Sequence, residues 1–284
     1  MDLSSRMIIM LLFMLVVAVV LWLFAYPGWR RKRLDRKPFP GPWEVIVKQR
    51  LPFYERMPSD LKLALQNRIT HFVAGKRFTG CAGQQIDDNV RVSIAAQACL
   101  LVLNRPGDYY SDLHTILVYP TAFMVKHGNV NEHGLVSDSG RVLAGESWNN
   151  GRIILSWDSV QRGASDFSDG NNVVLHEFAH QLDHQSGATN GAPLLASRSA
   201  YHQWSTVFTA EFQRLQKLAM AQDLDPYTAQ AQELLDFYGA TEPAEFFAVA
   251  TETFYEQPGQ LAERHPQLFE QLRNYYGIDP REWL

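Results

Sequence analysis

Residues 7–26 (MIIMLLFMLVVAVVLWLFAY) form an apolar run without a single charge. A helix of that length rises about 30 Å at 1.5 Å per residue, which matches the hydrocarbon thickness of a bilayer. Trp22, Tyr26 and Trp29 stand at its C-terminal end, where amphipathic rings favour a membrane interface. The pattern therefore predicts a transmembrane anchor over 1–29. Pro-Phe-Pro-Gly-Pro at 38–42 cannot continue a helix, so 30–42 reads as a basic, stiff linker.

From Trp43 onward the pattern is mixed. Ser59 is placed to cap a helix whose Leu61, Leu65, Ile69 and Phe72 share one face. Asp87 or Asp88 opens a second, carrying Val90, Ile94, Ala98 and Leu101. The period then shortens. Residues 115–119, 122–125, 141–144 and 152–157 are β-branched or aromatic runs broken by Gly, Pro, Asn and Asp, and they predict strands. Helical spacing returns over 172–185, 201–221, 229–237, 242–255 and 266–276, with Gly187 and Gly277 at expected stops. Strands in the middle and helices at both ends predict an α+β fold: one domain over 43–284, mainly helical with a small central sheet, preceded by one transmembrane helix.

Composition adds a direction. Over residues 1–42 seven Lys/Arg face two Asp/Glu, whereas the whole chain has 26 against 30. Arg30, Arg31, Lys32, Arg33, Arg36 and Lys37 all follow the apolar run. The positive-inside rule then predicts a single-pass, bacterial-type inner-membrane protein with its catalytic domain in the cytoplasm. An acidic body argues against direct nucleic-acid binding, which needs Lys and Arg on the folded surface. Two cysteines, Cys81 and Cys99, are too few for a disulfide framework.

The chemistry concentrates in His176-Glu177-Phe178-Ala179-His180. Histidines at i and i+4 lie one turn apart on one helix face, so both imidazoles can reach one ion. Glu177, beside a ligand, can reach water at the metal without binding the metal itself. Val174, Leu175, Phe178, Ala179 and Leu182 bury the rest of that helix. A catalytic zinc takes three protein ligands and leaves a fourth position to water. His184 does not supply the third, because it lies about 12 Å along the axis from His176. A later stretch, 238–252, carries Glu245 and Glu252 on one face of a helix that Thr241 can cap and that opens near Pro243. Spacing leaves both carboxylates open as the third ligand.

These landmarks resemble the Mlc titration factor A family of zinc peptidases. The resemblance extends from Trp43 to Trp283 through Lys76-Arg77-Phe78, Ala95-Ala96-Gln97-Ala98-Cys99, Val118-Tyr119-Pro120, Gly145-Glu146-Ser147-Trp148, the H-E-F-A-H segment and A-E-F-F-A at 244–248. The pairing of the last two is also similar to the catalytic domain of anthrax lethal factor. The resemblance implies a zincin-like fold, one Zn²⁺ on His176, His180 and Glu245, and Tyr238 assisting the transition state. Where some members carry a further metal-contacting His, this chain has Ser137, with His133 nearby. The implied reaction is peptide hydrolysis by a metal-activated water with Glu177 as general base. Asp183, one turn after His180, is a candidate to orient a ligand imidazole, and strand 152–157 a candidate to pair with an extended peptide. The implied alternative is a membrane-tethered protein that sequesters a transcriptional repressor such as Mlc, peptidase activity being secondary.

Overall fold

The computed structural model describes residues 3–105, 107, 110–121, 123–130, 136–143, 145–148, 151–221, 230 and 232–283. It divides into two units, Met1–Pro40 and Gly41–Leu284. The first is a single helix, α1 (Leu3–Asp35). Trp22, Tyr26 and Trp29 stack along it with centroids 4.8 and 6.1 Å apart, and the Arg33 guanidinium lies 5.3 Å from the Trp29 ring. That ladder follows from i, i+3 and i+4 spacing.

The membrane expectation is corrected here. No helix among the described residues is long and apolar enough to cross a membrane. The apolar run over 7–26 is not closed off before the basic cluster: one helix carries both, running through Arg30, Arg31, Lys32 and Arg33 to Asp35. The transmembrane helix, the membrane contact and the single-pass inner-membrane placement with a cytoplasmic catalytic domain are therefore withdrawn.

The second unit begins with α2 (Gly41–Arg50) and α3 (Ser59–Gly75). β1 (Arg77–Gly80), α4 (Asp88–Leu100) and β2 (Thr115–Tyr119) follow, with β2 parallel to β1. A hairpin of β3 (Phe123–Val130) and β4 (Val136–Leu143) precedes β5 (Gly145–Trp148) and β6 (Arg152–Ser156). The main sheet runs β1-β2-β6-β5. Its first three strands are parallel, with Thr115 opposite Arg152, and β5 is antiparallel to β6. The fold is thus mostly helical around a small sheet with a parallel core. The expected fold class lacked that parallel core, because β1 is four residues, largely exposed, and has no apolar period to betray it. In β6, Ile153, Ile154, Leu155 and Ser156 are all buried, so the strand reads as a continuous apolar run, as strands covered on both faces do.

Among the described residues six α-helices follow: α5 (Trp157–Ser165), α6 (Val173–His184), α7 (Arg198–Ala219), α8 (Pro243–Glu256), α9 (Pro258–Arg264) and α10 (Pro266–Tyr276). Asp87 caps α4 by accepting from the Val90 N–H at 2.9 Å. Ser59 does not cap α3; it is the first helical residue and Pro58 precedes it. Thr241 does not cap α8 either, since its hydroxyl donates to the Tyr238 carbonyl at 2.7 Å. The helix expected over 229–237 lies partly outside the described residues. Gly277 ends α10 at φ +67°, a left-handed position that a side chain rarely takes.

The core is aromatic where α8 meets α7 and α10. Trp204 stacks on Phe208 at 3.9 Å, and Phe247 lies 5.6 Å from Trp204 and 5.9 Å from Tyr275. Under α6, Phe178 lies 4.9 Å from Tyr110 and 5.6 Å from Phe72. These contacts hold α8 to α7 and α10, and α6 to α3.

A charged cluster joins α7 to the junction of α9 and α10. His265 Nδ1 is 3.0 Å from Glu211 Oε2, and its Nε2 is 3.5 Å from Glu233 Oε1, ion-pair range without hydrogen-bond geometry. Arg214 reaches both carboxylates, at 2.9 and 2.8 Å. Burial disfavours a charged His265 and Arg214 repels it, yet Glu211 and Glu233 outweigh both and raise its pKa. A His raised above its unfolded value contributes stability in full below that value and loses it as pH rises through the folded one. The loss in melting temperature caused by His265→Gln should therefore be large at about pH 6 and shrink by about pH 9. A pH-independent difference would show that the imidazole is not held protonated.

Candidate metal centre

The site is built on the start of α6. Asn172 caps it, its Oδ1 accepting from the Val174 and Leu175 N–H groups at 3.1 Å each. One turn on, His176 and His180 place their rings 4.9 Å apart and their Nε2 atoms 3.2 Å apart. Glu245 enters from the first turn of α8, with Oε2 at 2.9 Å from His176 Nε2 and 3.3 Å from His180 Nε2. Their side chains are 14, 12 and 19% exposed, enough to open onto solvent. His184 stays apart, near Thr189 at 3.4 Å.

Glu252, two turns after Glu245, takes the opposite side of the same imidazole. Its Oε1 is 2.7 Å from His176 Nδ1, and its Oε2 accepts from the Asn172 N–H at 2.5 Å. An imidazole fastened at Nδ1 turns the Nε2 lone pair toward the gap. Burial disfavours charge on His176, but the Glu252 charge and the hydrogen bonds of Glu245 and Glu252 raise its pKa well above the ordinary value. On Glu245 burial acts upward instead, yet His176 and His180 hold it well below the usual carboxylate range.

Three further residues frame the gap. Glu177 is buried at 6% exposure beside His176. Tyr238 is 40% exposed, its ring 5.8 Å from that of His176. It rides on a 3₁₀ turn, Phe237–Ala240, capped by Asp236, whose Oδ1 accepts from the Tyr238 N–H at 2.7 Å. Asp183 does not take the orienting role considered for it. Its Oδ2 accepts from the Gly191 N–H at 2.7 Å, and Trp204 Nε1 donates to the Gly191 carbonyl at 2.8 Å. Gly191 has φ +78°, and a Cβ there would meet the Pro243 carbonyl oxygen at 2.3 Å. Asp183 thus ties the end of α6 to the start of α8, just before Glu245. His133 lies outside the described residues, and of Ser137 only the strand pairing with Asn129 is described.

The strand considered for substrate pairing is corrected as well. β6 is interior, with β2 on one side and β5 on the other, so its backbone groups are already engaged. The outer strand on that side is β5, which packs against α6.

Among the described residues one group of side chains could hold a metal ion: His176, His180 and Glu245, whose ligand atoms all lie within 4.8 Å of one another. Ligand bonds of about 2.0–2.1 Å at tetrahedral angles put donor atoms roughly 3.3 Å apart. The observed spacings of 2.9, 3.2 and 3.3 Å are close to that. The donor set fits a divalent ion.

A model of the glucose-regulated metallo-peptidase M90 family matches residues 26–277. The chain belongs to the M90 family. As an M90 member it is a metallo-peptidase by family, and its three-residue cluster could hold a metal ion. An uncharacterized protein of Synechocystis sp. is 39% identical over 270 residues, covering 94% of this chain and 95% of its own. Mlc titration factor A of Cronobacter sakazakii is 31% identical over 242 residues, covering 85 and 87%. Mlc titration factor A of Escherichia fergusonii is 31% identical over 253 residues, covering 89 and 91%.

Proposed function

We propose that this M90 chain is a zinc-dependent peptidase whose ligands are His176, His180 and Glu245 and whose general base is Glu177. The observation that supports this most is the convergence of the two Nε2 atoms and Glu245 Oε2. Two imidazoles and one carboxylate are the borderline donor set that suits Zn²⁺, in the number that leaves a position open. When bound, zinc supplies Lewis acidity, acidifying water and polarising a peptide carbonyl.

The chain's own residues supply the rest. The Glu177 carboxylate takes a proton from the attacking water and returns it to the leaving amine, so the base is regenerated. Its low exposure keeps bulk water from competing for that proton. The Tyr238 hydroxyl, on the ring beside His176, donates to the oxygen that gains negative charge. The outer edge of β5 offers its backbone to an extended substrate, which would lie along α6.

The test is metal removal from the full-length chain. One equivalent of zinc should co-purify. A chelator should abolish digestion of a peptide library, and added Zn²⁺ should restore it. Digestion that survives complete chelation would remove the zinc mechanism. A second reading rests on the names of the relatives, Mlc titration factor A. On it, the chain binds a transcriptional repressor as well as, or in place of, cleaving peptides. Stoichiometric co-purification of a repressor with the Glu177→Gln variant would favour it; robust peptide turnover without any partner would favour the enzyme.

A further inference from the structure

Beyond the ligands and the base, α8 carries a buried carboxylate that the chemistry does not use. Glu256 is 4% exposed, one turn past Glu252. Its Oε2 accepts from the Gly170 N–H at 2.9 Å and the Asn171 N–H at 3.0 Å. Its Oε1 accepts from Asn172 Nδ2 at 3.0 Å. With the Asn172 N–H given to Glu252, three successive backbone donors, 170 to 172, end on two carboxylates of one helix. Asn172 is fully buried, and its Nδ2 also meets Gln97 Oε1 at 2.8 Å and the Gly163 carbonyl at 3.1 Å.

We propose that Glu256 and Asn172 are positioning residues for the metal site, a buried carboxylate–amide clamp that sets how α6 is turned against α8. The proposal rests on the reading that His176, His180 and Glu245 hold a metal ion. Two of those ligands are on α6 and one is on α8, so a small rotation of one helix changes their spacing directly. The helices are pinned at both ends. Gly191 seats on Pro243 ahead of Glu245, and Glu252 with Glu256 grips 170–172 ahead of His176.

A cap alone does not account for this arrangement. Asn172 Oδ1 already satisfies the α6 N-terminus, and a cap needs no carboxylate behind it. Burying a carboxyl group in the interior is costly unless its hydrogen bonds are complete. Burial, with the charges of Glu252 and Asp169, pushes Glu256 up to about 9 against the hydrogen bonds from Asn172 and Gly170, which favour charge. What the group provides is direction. Asn172 can aim only its amide nitrogen at Glu256, because its oxygen is held by the cap.

The test uses the full-length chain and two nearly isosteric variants. Glu256→Gln sets an amide nitrogen against Asn172 Nδ2, donor facing donor. Asn172→Asp keeps the cap, because Asp is as good an N-cap as Asn, but sets an oxygen against the Gly163 carbonyl and Gln97 Oε1 as well as against Glu256. Each should weaken Zn²⁺ affinity by about 10–100-fold, read by competition with a chromophoric chelator. Each should also change the visible absorption of the Co²⁺-loaded protein, which reports ligand geometry. The exchanged pair Asn172→Asp with Glu256→Gln restores one donor facing one acceptor at position 256 while the Gly163 carbonyl and Gln97 Oε1 still face an oxygen, so it should recover part of the affinity and of the Co²⁺ spectrum lost in Asn172→Asp. If a single variant folds poorly, the exchanged pair measured against it still decides. Wild-type affinity and an unchanged spectrum in both single variants would overturn the clamp, as would an exchanged pair no better than the worse single. A wild-type chain that binds Zn²⁺ no better than His176→Ala would instead overturn the metal site itself.

Discussion

Glu177→Gln is expected to lower kcat/KM for peptide hydrolysis by about 10³–10⁴-fold, near the upper end of what a general base contributes. Gln has the same shape and can still accept a hydrogen bond, but it cannot take a proton at neutral pH. The substitution therefore removes the base and nothing else. Glu177 is not one of the three convergent groups, so the variant should take up as much zinc as the wild type. A factor of 10³ corresponds to about 4 kcal/mol of transition-state stabilisation. Such a loss at unchanged zinc content would separate proton transfer from metal binding. Equal turnover by the variant would take the role away from Glu177, and parallel loss of zinc and activity would make it a structural residue.

That residue was legible because a helix imposes its own geometry. Once 172–185 is helical, His176 and His180 must share a face and Glu177 must sit beside it. That a helix opens at Asp87 or Asp88 was legible for a similar reason, since a short polar side chain just before an apolar period has one obvious use, whereas Asn172 was placed inside its helix and is in fact its cap. The choice between Glu245 and Glu252 was not legible. They lie two turns apart on one face, about 10 Å along the axis, and spacing cannot say which approaches Nε2. The answer is that both touch His176, from opposite sides of one ring.

Other features were hidden because they depend on partners distant in sequence. β1 became the first strand of a parallel sheet through pairing with β2, not through any pattern in Arg77–Gly80. Glu256 looks like a solvated end-of-helix residue until α8 is laid against 170–172. Asp183 gives its Oδ2 to the Gly191 N–H, on a loop whose path no period announces. The apolar run over 7–26 misled in the other direction. Its composition suggested a segment with two ends, whereas α1 continues through the basic cluster as one rod.

The division of labour between the two α8 carboxylates gives the second large effect. Four-ligand zinc sites bind with about 10–16 kcal/mol, so each ligand represents roughly 3–4 kcal/mol, or about 10²–10³ in affinity. Glu245→Ala should lose that much zinc affinity and lower the melting temperature of the metal-free chain less than Glu252→Ala does, the loss coming from the pairing in which the two imidazoles hold its carboxyl below the usual range. Among the described residues its carboxylate pairs with the two imidazoles, and it is 19% exposed. Glu252→Ala should behave in the opposite proportion. It removes no ligand, so zinc affinity should fall by the smaller factor of about 10–100 typical of a group that orients a ligand imidazole. It also strips a buried acceptor from the Asn172 N–H and from His176 Nδ1, and an orphaned buried donor costs about 1–3 kcal/mol. The metal-free chain should accordingly melt several degrees lower. Calorimetry of both variants with and without zinc gives the two numbers for each. A Glu252→Ala chain that holds no zinc, beside a Glu245→Ala chain that holds it normally, would exchange the two roles and place the metal on the Nδ1 side of His176.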